Sequence, residues 1–308
     1  MSLRVKLASI VALVAAGLGI WLFPTAANWL AVTFDSRDLT VASSISTAEV
    51  GFDQPYLDAQ RYNQRLSLGQ EGLLDQRSDS AYRTALTTPN TPEISRVVIP
   101  KINVSLRVYP GTDDDSLEKG AGHLYGTSLP VGGAGTHSAI TAHSGLSLAK
   151  RFTDLAKLEM GDTFTLLTRG HQLHYRVDQM IVVPAGEETA LFATEPGEDY
   201  VTLITCTPIG INTHRLLVRG VAYTPDPALS ETRLLHVTAG FPWWAVIWLA
   251  GVGAALYGTR HLRLRFGPRG PQHLVHPQKE VRPAVVIGDL FDGWQHTHPY
   301  HRELSATR

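Results

Sequence analysis

The stretch Thr202–Gly220, TLITCTPIGINTHRLLVRG, determines how this chain is interpreted. An apolar, β-branched strand ends at Cys206, where Thr207-Pro208 interrupts strand pairing and exposes the thiol. A short connection follows, and a second strand starts at Arg215. Because a short connection makes consecutive strands neighbours, we expect Cys206 and Arg215 to meet at one rim of a β-sheet.

Short strand-like segments recur upstream of this stretch. Between residues 93 and 225 they are β-branched, bounded by Gly, Pro or Asp, and not separated by long helices. This pattern predicts a mainly β fold, either an antiparallel barrel or a sandwich. The predicted strands include Ile94–Ile99, Ser138–Thr141, Thr163–Thr168, Leu173–Val183, Tyr200–Thr205 and Arg215–Tyr223.

A third candidate for chemistry is His143, which stands at a strand end in ITAHSG. A thiol becomes a useful nucleophile beside a base or cation, and histidine commonly supplies one. Arginine keeps its charge and can stabilise the oxyanion that forms when a thiolate attacks a carbonyl. Together with Cys206 and Arg215, His143 indicates nucleophilic cysteine chemistry. The alternative is that Cys206 is a buried core residue, as a single cysteine often is.

Composition and charge limit the remaining possibilities. The 308 residues carry 27 Lys and Arg against 28 Asp and Glu, so no nucleic-acid partner is predicted. A single cysteine excludes intrachain disulfides and metal sites built from several thiolates. We interpret His296, His298 and His301 in HTHPYH as surface histidines, and we predict neither a metal nor another cofactor.

Two apolar runs predict membrane spans. Leu7–Phe23 follows Arg4 and Lys6, and Ala239–Tyr257 precedes a cluster of arginines. Each run is close to the length of a helix that crosses about 30 Å of hydrocarbon. Positive charge on the outer flank of both runs predicts cytoplasmic termini and an external segment between the spans. Two alternatives are a signal peptide cleaved near residues 25–27 and a buried core helix for the second run.

Three stretches carry a family resemblance: GAGHLYGTSLPVGG, ITAHSGLSLAKRFTDL and TLITCTPIGINTHRLLVRG. With them the chain resembles the sortases, and specifically class C, the pilin-polymerising type of Gram-positive bacteria. The resemblance implies a sortase-type closed β-barrel with short helices, preceded by a helical lid segment and flanked by two transmembrane helices. By motif position it implies Cys206 as the nucleophile, His143 as its imidazole partner and Arg215 as the cation for the oxyanion or substrate.

The resemblance also implies a reaction and a location. Cys206 would cleave an LPxTG-like sorting signal between Thr and Gly through a thioacyl intermediate and pass the acyl group to a pilin lysine. The substrates would be pilins or surface proteins, and the enzyme would sit in the plasma membrane with its catalytic domain outside. We assign His123, His137 and His214 structural or rim roles.

Class C enzymes usually carry a lid with an Asp-Pro-aromatic motif, and this chain departs from it. The corresponding stretch is Leu73–Arg77, where Asp75 remains but Gln76 and Arg77 replace the proline and the aromatic residue. One interpretation is a looser lid that Asp75 anchors to Arg215. The other is an ordinary solvated linker.

These features divide the chain into segments. The helical spacing of apolar residues in Pro55–Leu68 predicts a helix ahead of the lid-like stretch. The predicted segments are a transmembrane or signal-anchor segment (1–33), an extracytoplasmic stalk, helix and lid-like segment (34–92), the catalytic β-barrel (93–225), a linker (226–238), a C-terminal transmembrane helix (239–258) and a basic, His/Pro-rich cytoplasmic tail (259–308).

Three other functions fit parts of the sequence. A housekeeping sortase would pass the acyl group to cell-wall peptide instead of a pilin lysine. An ordinary cysteine protease would use water, and a catalytically idle scaffold for pilus assembly would form no thioacyl species.

Overall fold

The computed structural model describes residues 3–45, 53–69, 79–87, 91–145, 151–226, 235 and 237–266. By their contacts, residues 1–261 and 262–308 form two separate units. In the described ranges the α-helices are α1 (Leu3–Ile45), α2 (Gln54–Ser67), α3 (Ser80–Thr84), α4 (Asp114–Lys119) and α5 (Trp243–Phe266). Short 3-10 helices cover Pro100–Ile102, Leu155–Lys157 and Glu188–Leu191. The strands are β1 (Ser95–Ile99), β2 (Val104–Pro110), β3 (Ala121–His123), β4 (Thr136–Thr141), β5 (Thr163–Thr168), β6 (His171–Pro184), β7 (Asp199–Thr207) and β8 (His214–Ala222).

These strands close into one barrel in the order β1-β2-β3-β4-β7-β8-β6-β5. The predicted mainly β fold is confirmed, and of the two forms that the strand spacing allowed, the chain adopts the barrel. The expectation of a purely antiparallel sheet is wrong for two pairs, because β2 and β3 are parallel and so are β4 and β7. The short helix α4 connects the first of these pairs, and the hairpin of β5 and β6 connects the second.

Alternating side chains on β7 and β8 divide between two apolar clusters. Leu203 and Leu216 lie in the main core, which draws buried side chains from every strand of the barrel. Ile204 and Leu217, one residue further along each strand, belong to a second cluster with Phe192 from the β6–β7 connection. Because strand side chains alternate between faces, this second cluster lies on the outside of the barrel.

The helix α2 is fixed to the barrel by polar groups on its buried face. The Tyr56 hydroxyl donates to the Val131 carbonyl at 2.7 Å. The Asn63 side chain accepts from the Leu129 backbone N–H at 2.7 Å and donates to the Leu129 carbonyl at 2.9 Å. Asn63 thus supplies the hydrogen-bond partners of both backbone groups of Leu129. These two bonds hold α2 in one position on the barrel.

The helix α3 is fixed in a similar way. Its N-cap residue Asp79 accepts from the Tyr82 backbone N–H and from the Tyr125 hydroxyl, each at 3.0 Å. Tyr82 is fully buried, and its hydroxyl lies 3.0 Å from Nδ1 of His123. The helices on both sides of residues 70–78 therefore contact the barrel, while Asp75 itself lies outside the described residues.

The first apolar run forms α1, which continues to Ile45, past the boundary predicted at residue 33. Within the described residues, one helix is long and apolar enough to cross a membrane, and it covers Val5–Phe34. The second apolar run is helical in α5, but Trp, Gly and Arg residues lower its mean hydropathy. A second span therefore remains a prediction.

The helices α1 and α5 pack side by side. The Trp248 indole N–H donates to the Ala15 carbonyl at 3.1 Å. Gly251 faces Leu18 so closely that an added Cβ would overlap the Leu18 methyl group Cδ1. A side chain at Gly251 would therefore require the Leu18 side chain to move.

Candidate active site

Cys206 and Arg215 are direct partners across two antiparallel strands. Cys206 stands near the end of β7, and its register partner on β8 is Arg215. Opposite residues in such a pair have Cβ atoms about 4.5–5.5 Å apart and share one face of the sheet. Alternation places both on the outward face that also carries Ile204 and Leu217. The thiol is half-buried and free.

The backbone at His143 runs beside that at Cys206 because β4 and β7 are parallel neighbours. Their register pairs Thr141 with Ile204, and two further residues along each chain lead to His143 and Cys206. The Ser144 hydroxyl donates to the Cys206 carbonyl at 2.6 Å, which ties the two strand ends together. The structure thus brings the three predicted site residues to one rim of the barrel.

The loop after His143 is shaped by Gly145. Its φ of +100° lies in the region that favours glycine, and its backbone N–H donates to the Thr153 hydroxyl at 3.1 Å. A Cβ added to Gly145 would lie 3.1 Å from Cγ2 of Ile209 in the β7–β8 connection. Glycine therefore lets the loop that follows His143 approach the loop that follows Cys206.

The guanidinium of Arg215 is held from two sides. Its Nη1 donates to the carbonyls of Asn212 and His214, each at 3.1 Å, and His214 itself stands on the rim at the start of β8. Its Nε lies 3.8 Å from Oε1 of Glu188 in the β6–β7 connection. No motif in the sequence marks Glu188, and only the pairing of β6 with β8 brings it near Arg215.

Apolar side chains border the outward face on which Cys206 lies. Phe192 covers the inner part of this face by packing with Ile204 and Leu217. At the outer end, Ile209 and Ile211 of the β7–β8 connection are 56% and 67% exposed. The reactive groups therefore lie between a packed apolar cluster and an exposed apolar loop.

Two other histidines of the barrel are buried and hydrogen-bonded. His123 has Nε2 2.8 Å from the Ser128 carbonyl, and burial lowers its pKa to about 4. His137 has Nε2 2.8 Å from the Thr202 hydroxyl, and burial lowers its pKa as well. Both side chains are therefore neutral at neutral pH, where they satisfy polar groups inside the fold.

The part of the chain that the structure describes contains no group of three or more His, Cys, Asp or Glu side chains placed to hold a metal ion. The tail residues His296, His298 and His301 lie outside the described ranges.

The chain is similar to proteins of known structure. Residues 97–223 match the sortase domain family. Sortase C-1 of Actinomyces oris is 42% identical, with a TM-score of 0.51 over 56% of this chain and 98% of that one. Sortase A of Corynebacterium diphtheriae, solved as a lid mutant, is 38% identical, with a TM-score of 0.52 over 57% and 95%. Sortase C of Streptococcus pneumoniae, whose crystal structure is described as informative about catalysis and pilin substrate specificity, is 39% identical. Its TM-score is 0.53 over 61% of this chain and 96% of that one.

Identity at this level, over nearly the whole length of each solved chain, shows that this protein is a cysteine transpeptidase. The chain belongs to the sortase family, and within that family to class C. The enzyme class that the Cys206-to-Arg215 stretch predicted is confirmed.

Proposed function

We propose that this sortase cleaves an LPxTG-like sorting signal between Thr and Gly and joins the new acyl end to a lysine amine of a pilin. The observation that carries the proposal is the direct pairing of Cys206 with Arg215 beside His143. A nucleophile, a proton carrier and a permanent cation at one rim are the groups that acyl transfer requires.

In the first half of the reaction, the thiol proton of Cys206 passes to His143, and Sγ attacks the carbonyl carbon of the signal's threonine. Negative charge develops on the carbonyl oxygen, and the guanidinium of Arg215 stabilises it from the neighbouring strand. The C–N bond to glycine then breaks, and His143 gives a proton to the leaving amine. The product is a thioester between the threonine acyl group and Cys206.

In the second half, a pilin lysine takes the place of the glycine amine. Its Nζ attacks the thioester, His143 accepts the amine proton and passes it to Sγ, the C–S bond breaks, and the Cys206 thiol is released as the isopeptide bond forms. The S. pneumoniae relative, described together with its pilin substrate specificity, supports a pilin as the substrate here.

We propose the following topology and lid. The helix α1 anchors the enzyme in the plasma membrane, α5 forms a second span beside it, and the catalytic barrel lies outside while both termini lie in the cytoplasm. The contact of Trp248 with Ala15 supports the helix pair, and Arg263 and Arg265 at the end of α5 support the orientation. The similarity to the Corynebacterium diphtheriae sortase, which was solved as a lid mutant, supports a lid in this enzyme, which Asp75 would anchor at Arg215.

Product analysis tests the function. The full chain in detergent is incubated with a sorting-signal peptide and one of three acceptors: a lysine-bearing pilin, a cell-wall peptide amine, or water alone. We expect an isopeptide product only with the pilin, and none with Cys206→Ala. A product with the cell-wall peptide alone would indicate a housekeeping sortase, hydrolysis alone would indicate a protease, and no cleavage would indicate a scaffold.

A further inference from the structure

We propose that Glu188 is a positioning residue for Arg215. Its carboxylate fixes the orientation of the guanidinium and so prepares it for the oxyanion that forms during acylation of Cys206. This inference rests on the proposed function, because Glu188 acts only through Arg215.

The position of the Glu188 carboxylate is set by its own loop. Its Oε2 accepts from the Gly186 backbone N–H at 2.6 Å, and Gly186 has a φ of +97°. The backbone conformation that presents this N–H therefore favours glycine. The other oxygen, Oε1, is left 3.8 Å from Nε of Arg215. The negative charge is thus in place independently of where the arginine side chain points.

The loop itself is fixed at both ends. Directly after β6, the Ala185 backbone N–H donates to the Thr213 carbonyl at 3.1 Å, which holds the start of the loop against the segment that leads into β8. At the other end, Phe192 is buried in the outer apolar cluster. Glu188 lies between these two attachments, so the barrel determines its distance from Arg215.

The two sets of contacts on Arg215 act on different parts of one rigid group. Carbonyls of its own chain, from Asn212 and His214, accept from Nη1, while Glu188 lies beside Nε. Because a guanidinium is planar and rigid, the hydrogen bonds at Nη1 and the charge attraction near Nε together limit how the whole group can rotate. We infer that without Glu188 the guanidinium can rotate away from the reacting carbonyl.

Solvent screens this pair only in part. The side chains of Arg215 and Glu188 are 26% and 18% exposed. The preceding residue, Glu187, is exposed and carries the same charge. Glu187 therefore serves as a matched control for any effect that comes from loop charge alone.

The test compares Glu188→Gln, Glu188→Asp and Glu187→Gln in the full chain. Glutamine keeps an acceptor for Gly186 and the side-chain size but removes the charge, whereas aspartate keeps the charge on a shorter stem. Three quantities are measured: the acylation rate constant of Cys206 at saturating sorting-signal peptide, the KM for that peptide, and the rate of Cys206 alkylation by iodoacetamide.

We expect Glu188→Gln to lower the acylation rate constant about tenfold, a part of the loss that removal of a whole oxyanion donor causes. KM and the alkylation rate stay within about twofold, since neither depends on the oxyanion. Glu188→Asp recovers part of the rate, and Glu187→Gln behaves as the wild type. A merely structural role would change alkylation and KM as well.

Equal acylation rates for Glu188→Gln and Glu187→Gln would overturn the inference and leave the proposed function intact. A parallel loss of alkylation in Glu188→Gln would also overturn it, because the loop would then only shape the site. If the wild type itself forms no acyl-enzyme, the proposed function fails, and the role of Glu188 fails with it.

Discussion

Cys206 and Arg215 face each other as register partners in the antiparallel β7–β8 pair. Both strands have a second neighbour in the barrel, β4 for β7 and β6 for β8. A shift of one residue would move the core side chains of either strand to the outside and is therefore strongly disfavoured. The separation of thiol and guanidinium is thus fixed by the same register that builds the core.

This pairing predicts that Arg215→Lys is a severe change although it keeps the charge. Lysine has a single ammonium group and cannot keep the two-sided contacts of the guanidinium. We expect kcat for peptide cleavage to fall roughly 100-fold, the lower end of the cost of losing an oxyanion donor. Arg219→Lys, on the same strand and face, is the control and should change kcat less than about threefold. Near-wild-type kcat in Arg215→Lys would contradict the assignment of Arg215.

The lid interpretation predicts that Asp75→Ala exposes the thiol. If Asp75 anchors the segment at Arg215, its loss should raise the rate at which a small thiol reagent modifies Cys206 by several-fold, since local opening then costs less. The matched control is Glu71→Gln, which alters charge in the same stretch of the chain. Equal rates in wild type and Asp75→Ala would favour the solvated linker.

The buried His123 predicts acid sensitivity of the fold. Burial lowers its pKa from 6.5 to about 4, so between these values the unfolded chain binds more protons than the folded one. The contribution of His123 to stability is therefore fully present above about pH 6.5 and is lost as the pH falls toward 4. The lowered pKa of His137 acts in the same direction.

The measurement is the free energy of unfolding of the full chain in detergent at about pH 7.5 and about pH 4.5. Between these two pH values the contribution of His123 to the free energy of unfolding falls by about 2–3 kcal/mol, because one pKa unit corresponds to about 1.4 kcal/mol. His123→Gln should be less stable at neutral pH but lose correspondingly less on acidification. Identical pH dependence in both proteins would contradict the assignment.

The contact of Gly251 with Leu18 predicts that a large side chain at this position destabilises the helix pair. In Gly251→Leu the new side chain must displace Leu18 or separate α1 from α5, at a cost of about 1–3 kcal/mol. The control is Gly253→Leu, because a Cβ at Gly253 meets no atom within 4 Å. We expect the thermal midpoint in detergent to fall in Gly251→Leu only. Equal midpoints in the two variants would argue against the packed pair.

Much of the barrel could be predicted from its sequence. β1 and β4–β8 correspond to predicted β-branched segments, because each alternates or runs apolar between turn residues. β2 and β3 were not predicted. β3 has only three residues, too few for a periodic pattern, and β2 ends at Pro110, which weakens its pattern. The parallel β2–β3 pair was not predicted because the six-residue α4 is shorter than the helix expected in a parallel crossover, and the β4–β7 pair because strands β5 and β6 connect it in place of a long helix.

The site was predictable to the extent that local sequence defines it. Cys206 and Arg215 lie on consecutive strands joined by a short connection, so their meeting follows from the hairpin alone. The position of His143 could be predicted only from its motif. Local sequence does not show it, because the parallel β4–β7 pair joins strands that are distant in sequence. Glu188 carries no local signal, because its distance to Arg215 depends on barrel closure and on a glycine-dependent turn at Gly186.

The intact mass of the full-length enzyme after reaction with a sorting-signal peptide tests the central claim most directly. We predict a gain equal to the peptide's acyl portion ending at threonine, located on Cys206, absent in Cys206→Ala and discharged when lysine-bearing pilin is added. An unmodified enzyme after peptide turnover, or an adduct that pilin does not discharge, would contradict the account.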